Sequence, residues 1–239
     1  MMIRIKDLYE KHAGTLGYRQ IAGKLRLQGV AVSDNTVYSY MSEMGLKAII
    51  MRKKPDYVHG TKHHIYENLL KQDFSASAPN KKWCTDFTYL QLSDGRKRYN
   101  CSIIDLYDRS IVATLNGKSI TAKLAVNTME MAINKTIITD DLILHSDQGS
   151  QFASNEFSDY CKGKNIIQSM SKAGCPYDNA PIERFYNTYK NELINQYIFK
   201  DDQALNNATE EFVYAWYNQC RPHSYNGGLT PNMIRYSNY

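Results

Sequence analysis

The sequence predicts an α/β protein: a mixed five-stranded sheet flanked by helices, preceded by a small all-α helix-turn-helix domain. Three observations carry that expectation. Residues 17–46 show helical periodicity with caps and no strand character. From Trp83 onward, strand-like and helical stretches follow in the order β-β-β-α-β-α-β-α-α, the pattern of a mixed sheet with helices against it. The length, 239 residues, suffices for one medium domain with a real core and a smaller one beside it.

In the front region Ile21, Ala22 and Leu25 share one helical face, and Val37, Tyr40, Met41 and Met44 repeat the pattern in a second helix. Ser33 or Asp34 is placed to cap the second helix, and Gly45 to end it. Asn35, Tyr38, Ser39 and Ser42 are left facing outward, where a helix-turn-helix would read DNA, although any helical hairpin shares this grammar. Residues 1–46 are assigned to this domain. Residues 47–82, with Arg52-Lys53-Lys54-Pro55, form a basic linker that reads equally well as a phosphate-tracking strip and as a tether.

The sheet-bearing region is expected over 83–200. A strand at 83–92 ends in the turn Ser93-Asp94-Gly95, and two more strands follow at 99–106 and 110–115. Ala125, Met129, Ala132 and Ile133 mark a helix at 121–134. Next come a strand at 142–146, a helix near 153–162, a short strand near 165–169 and a loop at 171–179. A long helix is expected from about 180 to 196. The C-terminal extension, 201–239, begins with a helix at 202–217 that places Leu205, Ala208, Phe212, Ala215 and Trp216 on one face.

Composition narrows the function. No apolar run approaches the roughly 18–20 residues of a membrane span, and residues 1–11 lack the apolar stretch of a signal peptide. A cytoplasmic protein with no membrane partner is expected. Five scattered cysteines without a CxxC pair argue against a disulfide framework and a cysteine-rich zinc site. His59 and His63 have an HxxxH spacing but no third ligand nearby, and read as polar linker. Residues 1–82 carry 14 Lys/Arg against 7 Asp/Glu, whereas residues 83–239 carry 15 against 17. A basic front end suggests a polyanion partner, and an acidic remainder suggests more than charge-driven coating.

Three carboxylates stand out. Asp86 lies inside the first strand among apolar neighbours, where a charge is costly unless paired or bound to metal. Asp147 ends the aliphatic run Leu142-Ile143-Leu144, with Gly149 behind it to allow a tight turn. Glu183 opens the long helix. Singly, each has a plain structural reading: an edge position, an Asx turn, a first-turn carboxylate favoured by the helix dipole. Together they suit hard divalent ions, Mg²⁺ above all, and two such ions roughly 3.5–4 Å apart can bracket a phosphodiester.

The motifs Trp83-Cys84-Thr85-Asp86-Phe87-Thr88-Tyr89, His145-Ser146-Asp147-Gln148-Gly149-Ser150-Gln151-Phe152, Gly174-Cys175-Pro176-Tyr177-Asp178-Asn179-Ala180, Glu183-Arg184-Phe185 and Lys190-Asn191-Glu192-Leu193 are continued by Tyr217-Asn218-Gln219-Cys220-Arg221-Pro222-His223-Ser224 and Leu229-Thr230-Pro231. The 35 residues between Asp147 and Glu183 give a D,D-35-E spacing. Nearly the whole chain thus resembles bacterial insertion-sequence transposases with a retroviral-integrase-type core, specifically the second-frame product of the insertion-sequence three family. Cys175, Tyr189 and Cys84 depart from residues common in that family, and none belongs to the triad.

The resemblance implies an RNase H-like integrase core and a DDE transposase that performs Mg²⁺-dependent strand cleavage and strand transfer through a 3′-hydroxyl. It maps Asp86, Asp147 and Glu183 onto the catalytic, metal-binding triad, with two Mg²⁺ ions and Mn²⁺ as a substitute. It maps Lys190 onto a basic residue that holds terminal DNA. Seven residues is nearly two helical turns, so Lys190 and Glu183 can face one substrate, although Lys190 reads equally as a solvated helix lysine. Arg184, Asn35, Tyr38, Arg52, Lys53 and Lys54 are further expected DNA contacts, while Ser150 and Gln151 stay open between helix capping and DNA contact. Implied partners are terminal inverted repeats, target DNA, further copies of the chain on DNA, and the first-frame protein of the same element. That first frame would supply a further helix-turn-helix and leucine zipper by frameshifting, which would make this chain a fragment of the fusion product. Two other readings remain: a non-catalytic DNA-binding regulator of transposition, and an RNase H-like nuclease.

Overall fold

The computed structural model describes residues 1–49, 64–136, 138 and 141–237; Arg52, Lys53, Lys54, His59 and His63 lie outside the described residues. The N-terminal region holds three helices, α1 (Met2–Lys11), α2 (Tyr18–Leu27) and α3 (Asp34–Glu43). Capping follows the residue pattern: Ser33 Oγ accepts from the Thr36 N–H at 3.1 Å, and Gly45 ends α3 in the left-handed region at φ +69°. Helix α1 was not legible in the sequence. Of its residues only Ile5 and Leu8 are buried, too few to mark an apolar stripe on a charged helix. Tertiary packing of those two against Leu16, Ile21, Leu25, Val37 and Met41 is what stabilises it.

The sheet comprises β1 (Lys82–Gln91), β2 (Lys97–Asp105), β3 (Ile111–Gly117), β4 (Ile143–Ser146) and β5 (Ile167–Met170), in the order β3-β2-β1-β4-β5. Short turns make β1, β2 and β3 an antiparallel meander, whereas β4 and β5 run parallel to β1. Parallel pairing needs crossovers, supplied by α4 (Ala122–Lys135) and α5 (Asn155–Gly163). Alternation along β1 divides the core. Trp83 and Phe87 meet Met129, Phe152 and Phe157 on one face, while Cys84 and Leu90 meet Phe185, Tyr189, Phe212 and Tyr217 on the other.

That second face is covered by α6 (Ala180–Tyr189) and α7 (Asp202–Glu210), each continued by a wide π-helical stretch, Lys190–Ile194 and Glu211–Tyr217. Uninterrupted α-helices were expected at 180–196 and 202–217. A π stretch takes more residues per turn and shifts the inward face, so Val213 and Tyr217 are buried while Ala215 is exposed. No helix among the described residues is long and apolar enough to cross a membrane.

The N-terminal helices dock on this side of the core. Trp216 stacks on His12 at 4.4 Å between centroids, and Lys24 Nζ lies 4.6 Å from the Trp216 ring. Trp216 Nε1 donates to Glu192 at 3.1 Å, and Arg221 clasps the same carboxylate at 2.8 Å. At the chain's end, α8 (Pro231–Arg235) brings Arg235 onto the buried Asp105 and Asp108 at 2.5 and 2.6 Å. Removing one partner of such a network leaves uncompensated charge in the interior. Arg235→Met is therefore expected to lower unfolding free energy by about 3–5 kcal/mol, read as a fall in the urea midpoint at neutral pH.

Candidate active site

Asp86 points from β1 toward the α6 side, because it alternates with Trp83, Thr85 and Phe87 and shares the face of Cys84. Strand β4 pairs in parallel with β1, Trp83 beside Leu144 and Cys84 beside His145. Continued two residues further, that register brings Asp147 level with Asp86, and the charge of Asp147 acts on the Asp86 carboxyl. Asp147 follows directly on the end of β4, where its Oδ1 accepts from the Gly149 N–H at 2.8 Å. The sequence suggested that Gly149 serves a tight turn, but its backbone is not left-handed. A Cβ there would lie 2.8 Å from Asp147 Oδ1, so a larger residue would have to push that carboxylate aside.

Behind Asp147, His145 is fully buried, with Nδ1 2.8 Å from Ser169 Oγ and Nε2 3.2 Å from Ser171 Oγ. Burial lowers its pKa to about 4, so the imidazole is neutral at physiological pH. It ties the end of β4 to β5 and takes no part in a charge relay with Asp147.

Glu183 is exposed in the first turn of α6, and that helix is pinned at several points. The Tyr186 hydroxyl donates to the Asp86 carbonyl oxygen at 2.5 Å and accepts from the Ser102 N–H at 2.9 Å. Asn179 Nδ2 donates to the Thr85 carbonyl at 3.2 Å, and its Oδ1 is buried without a hydrogen-bond partner. Asp178 accepts from Gln72 at 2.9 Å, from the Lys172 N–H at 3.1 Å and from Asn68 at 3.0 Å. Those bonds, Gln72 first, hold its carboxyl below the usual range. Three residues before Tyr186 and four after it, Glu183 and Lys190 fall on the same side of the helix.

The four groups meet electrostatically at Asp86. Its carboxylate is densely surrounded by protein while keeping an opening to solvent. Burial, then the charge of Asp147, then that of Glu183 push its pKa well above the usual carboxylate range. The Phe87 N–H, 2.7 Å from Oδ1, and the Lys190 ammonium act in the opposite direction. Among the described residues no trio of His, Cys, Asp and Glu side chains is closed into a ready-made metal cage. The donor chemistry nonetheless fits a hard divalent cation: three carboxylates, mutually repelling, with oxygen as the only donor atom.

The other expected contacts lie apart. Arg184 is exposed, one position round α6, and its charge acts on Tyr217. Asn35 and Tyr38 are exposed on α3, with the Tyr38 ring edge-on to Tyr18 at 5.3 Å. Sequence reasoning missed Tyr186, Asn179 and Asp178 as the residues that place α6. Asp178-Asn179 stood inside a quoted motif, but nothing in residue type alone gave them this task.

Comparison with known proteins bears on this arrangement. Residues 76–176 and 164–231 each match an integrase core domain model, and residues 1–54 match an HTH-like domain. Transposase InsF of insertion sequence IS3A from Escherichia coli K12 is 34% identical over 223 residues, spanning 93% of this chain and 77% of that protein. InsK of insertion sequence element IS150 from the same strain is 31% identical over 236 residues, 99% of this chain and 83% of that one. Among solved structures, a chain of the simian T-cell lymphotropic virus intasome in complex with PP2A regulatory subunit B56 gamma superposes with a TM-score of 0.54. It is 16% identical and covers 97% of this chain and 74% of its own, a likeness of fold.

The raised Asp86 pKa has a consequence for stability. A carboxyl whose folded pKa exceeds its unfolded value contributes stability below the unfolded value, and that contribution is lost as pH rises through the folded pKa. Asp86→Asn keeps the acceptor for the Phe87 N–H and removes the charge. Without divalent ions, thermal denaturation at pH 7 should show a midpoint higher by about 2–4 °C per kcal/mol of relief, the gain shrinking as pH approaches 4.

Proposed function

This chain belongs to the IS3 family of insertion-sequence transposases, and we propose that it cleaves and joins DNA strands at the ends of its element through Asp86, Asp147 and Glu183. The observation that carries this reading is the raised Asp86 carboxyl, which Asp147 and Glu183 perturb from two other elements of the fold. Repulsion of this kind persists in a fold where a ligand repays it, and active sites are where such arrangements concentrate.

In this reading Asp86, Asp147 and Glu183 hold two Mg²⁺ ions, for which Mn²⁺ substitutes. When bound there, the ions supply Lewis acidity toward the attacking and departing oxygens of a phosphodiester. Asp86 ionises more readily once the cluster is neutralised, so ion binding and deprotonation reinforce each other. Lys190, half-buried beside Asp86, supplies a cation for a phosphate of the terminal DNA. The nucleophile is water, then a 3′-hydroxyl, with no covalent protein–DNA intermediate. Tyr186 is unsuited to that role, since its hydroxyl is committed to the backbone and burial raises its pKa well above the usual phenol value.

Residues 1–46 are assigned to DNA binding, with Asn35 and Tyr38 outward on α3; residues 83–200 are assigned to the chemistry, and Arg184 to a further DNA contact. Residues 47–82, with Arg52, Lys53 and Lys54, would link the two, and 201–239 would complete the core. The partners are terminal inverted repeats and target DNA, bound by an oligomer of this chain in the nucleoid, with the first-frame protein of the element as a further partner.

Asp147→Asn should reduce Mg²⁺-dependent cleavage and joining of terminal-repeat DNA by at least about 100-fold while leaving DNA binding in place. Undiminished cleavage by this variant sinks the assignment. Binding without cleavage by the wild type, with Mn²⁺ as well as Mg²⁺, makes the chain a regulator; cutting of RNA in hybrids without joining of DNA makes it a nuclease.

Lys190→Ala should weaken end binding across sequences and flatten the slope of log K against log salt by about 1, measured by fluorescence anisotropy. An unchanged slope returns Lys190 to the role of a solvated helix lysine.

A further inference from the structure

Along the antiparallel β1–β2 pair, Leu106 N–H donates to the Lys82 carbonyl at 2.9 Å, which fixes the phase of the ladder. Hydrogen-bonded pairs recur every second residue, so Asp86 and Ser102, paired in register, form such a rung. The Tyr186 hydroxyl touches both of its ends: it donates to the Asp86 carbonyl at 2.5 Å and accepts from the Ser102 N–H at 2.9 Å. The side chain that makes these bonds comes from α6, between Glu183 and Lys190. Its ring is buried against Phe185 at 5.3 Å between centroids.

We propose that Tyr186 is a positioning residue that sets the height of Glu183 and Lys190 over the Asp86 carboxylate, by fastening α6 to the backbone of Asp86 itself. The inference rests on the metal-binding reading of the triad. Of the neighbouring side chains, Asn179 reaches the Thr85 carbonyl from the residue before the helix, and Tyr189 turns away to Thr209 Oγ1 at 2.8 Å. A phenol held at both ends of a rung fixes a helix against a strand in translation as well as in rotation. Packing of Ile182 and Phe185 alone would tolerate sliding, because dispersion contacts are non-directional. Mg²⁺ demands near-ideal octahedral geometry, so a small slip of Glu183 relative to Asp86 would weaken its site.

The test compares Tyr186→Phe with Tyr189→Phe in the full chain. Both remove a buried hydroxyl from α6, and both should lower the melting temperature, but only Tyr186 joins the helix to Asp86. Binding of Mn²⁺ alone, followed by calorimetry without DNA, should weaken roughly 10-fold in Tyr186→Phe and stay at the wild-type value in Tyr189→Phe. The Mg²⁺ concentration for half-maximal cleavage of terminal-repeat DNA should shift by the same factor. Equal metal affinity in Tyr186→Phe and wild type overturns the proposal, as does an equal loss in both variants, which would make the hydroxyl merely structural. Should Tyr186→Phe unfold, 4-fluorophenylalanine in place of Tyr186, which fills the space of the hydroxyl but cannot donate to the Asp86 carbonyl, supplies the same comparison. Failure of wild-type protein to bind Mn²⁺ at all counts against the triad reading instead.

Discussion

The repulsion among Asp86, Asp147 and Glu183 is the constraint around which the fold is organised. Bringing carboxylates together at the edge of a protein interior is unfavourable, and the surrounding structure must hold them there before any cation arrives. Each is held by a different device. Asp86 is fixed by the ladder of β1, with the Phe87 N–H on its carboxylate; Asp147 by the turn that brings the Gly149 N–H to its Oδ1; Glu183 by the pinning of α6 at Tyr186 and Asn179. The sheet order makes this economical. Placing β4 beside β1 brings the first two carboxylates into register without any side chain reaching across the molecule.

Electrostatics elsewhere follows the opposite rule. Asp105 and Asp108, fully buried, are matched by Arg235, and the Glu192 side chain by Arg221 and the Trp216 indole. At these three architectural positions the carboxylate has a guanidinium within hydrogen-bond reach. At Asp86 the half-buried Lys190 draws the carboxyl down, yet it remains raised. That contrast, more than the presence of acidic residues, separates the candidate site from the structural ion pairs.

Much of this was legible in the residues. Alternation through 83–92, the Ser93-Asp94-Gly95 turn, the Ser33 cap and Gly45 each encode local geometry, and the three carboxylates stood out as a set that the sequence matches with no cluster of buried cations. What could not be read depends on contacts between distant segments. Helix α1 needs a hydrophobic partner face that lies in α2 and α3. The π stretches after Tyr189 and Glu210 alter the periodicity from which an inward face is inferred, which is why Ala215 was placed inside and Val213 overlooked. Tyr186 looked like one more aromatic on an amphipathic helix, since nothing in its own segment indicates that its hydroxyl ends on β1 and β2.

The helix that carries Glu183 also touches the other half of the molecule. Glu192 follows Glu183 by nine positions, about two and a half α-helical turns, and the wider π stretch that holds it still leaves the two on different sides. Glu183 faces the carboxylates, while Glu192 turns to Trp216, whose ring is held by His12 and Lys24 of the N-terminal helices. The π stretch Lys190–Ile194 lies at the junction, and the Glu192 side chain is buried within it under the clasp of Arg221. One continuous strut therefore runs from the backbone of Asp86, through Tyr186 and α6, to the docking surface of the helix-turn-helix domain. The same helical segment thus carries Glu183 at one end and, through Glu192, meets the surface on which the N-terminal helices dock at the other.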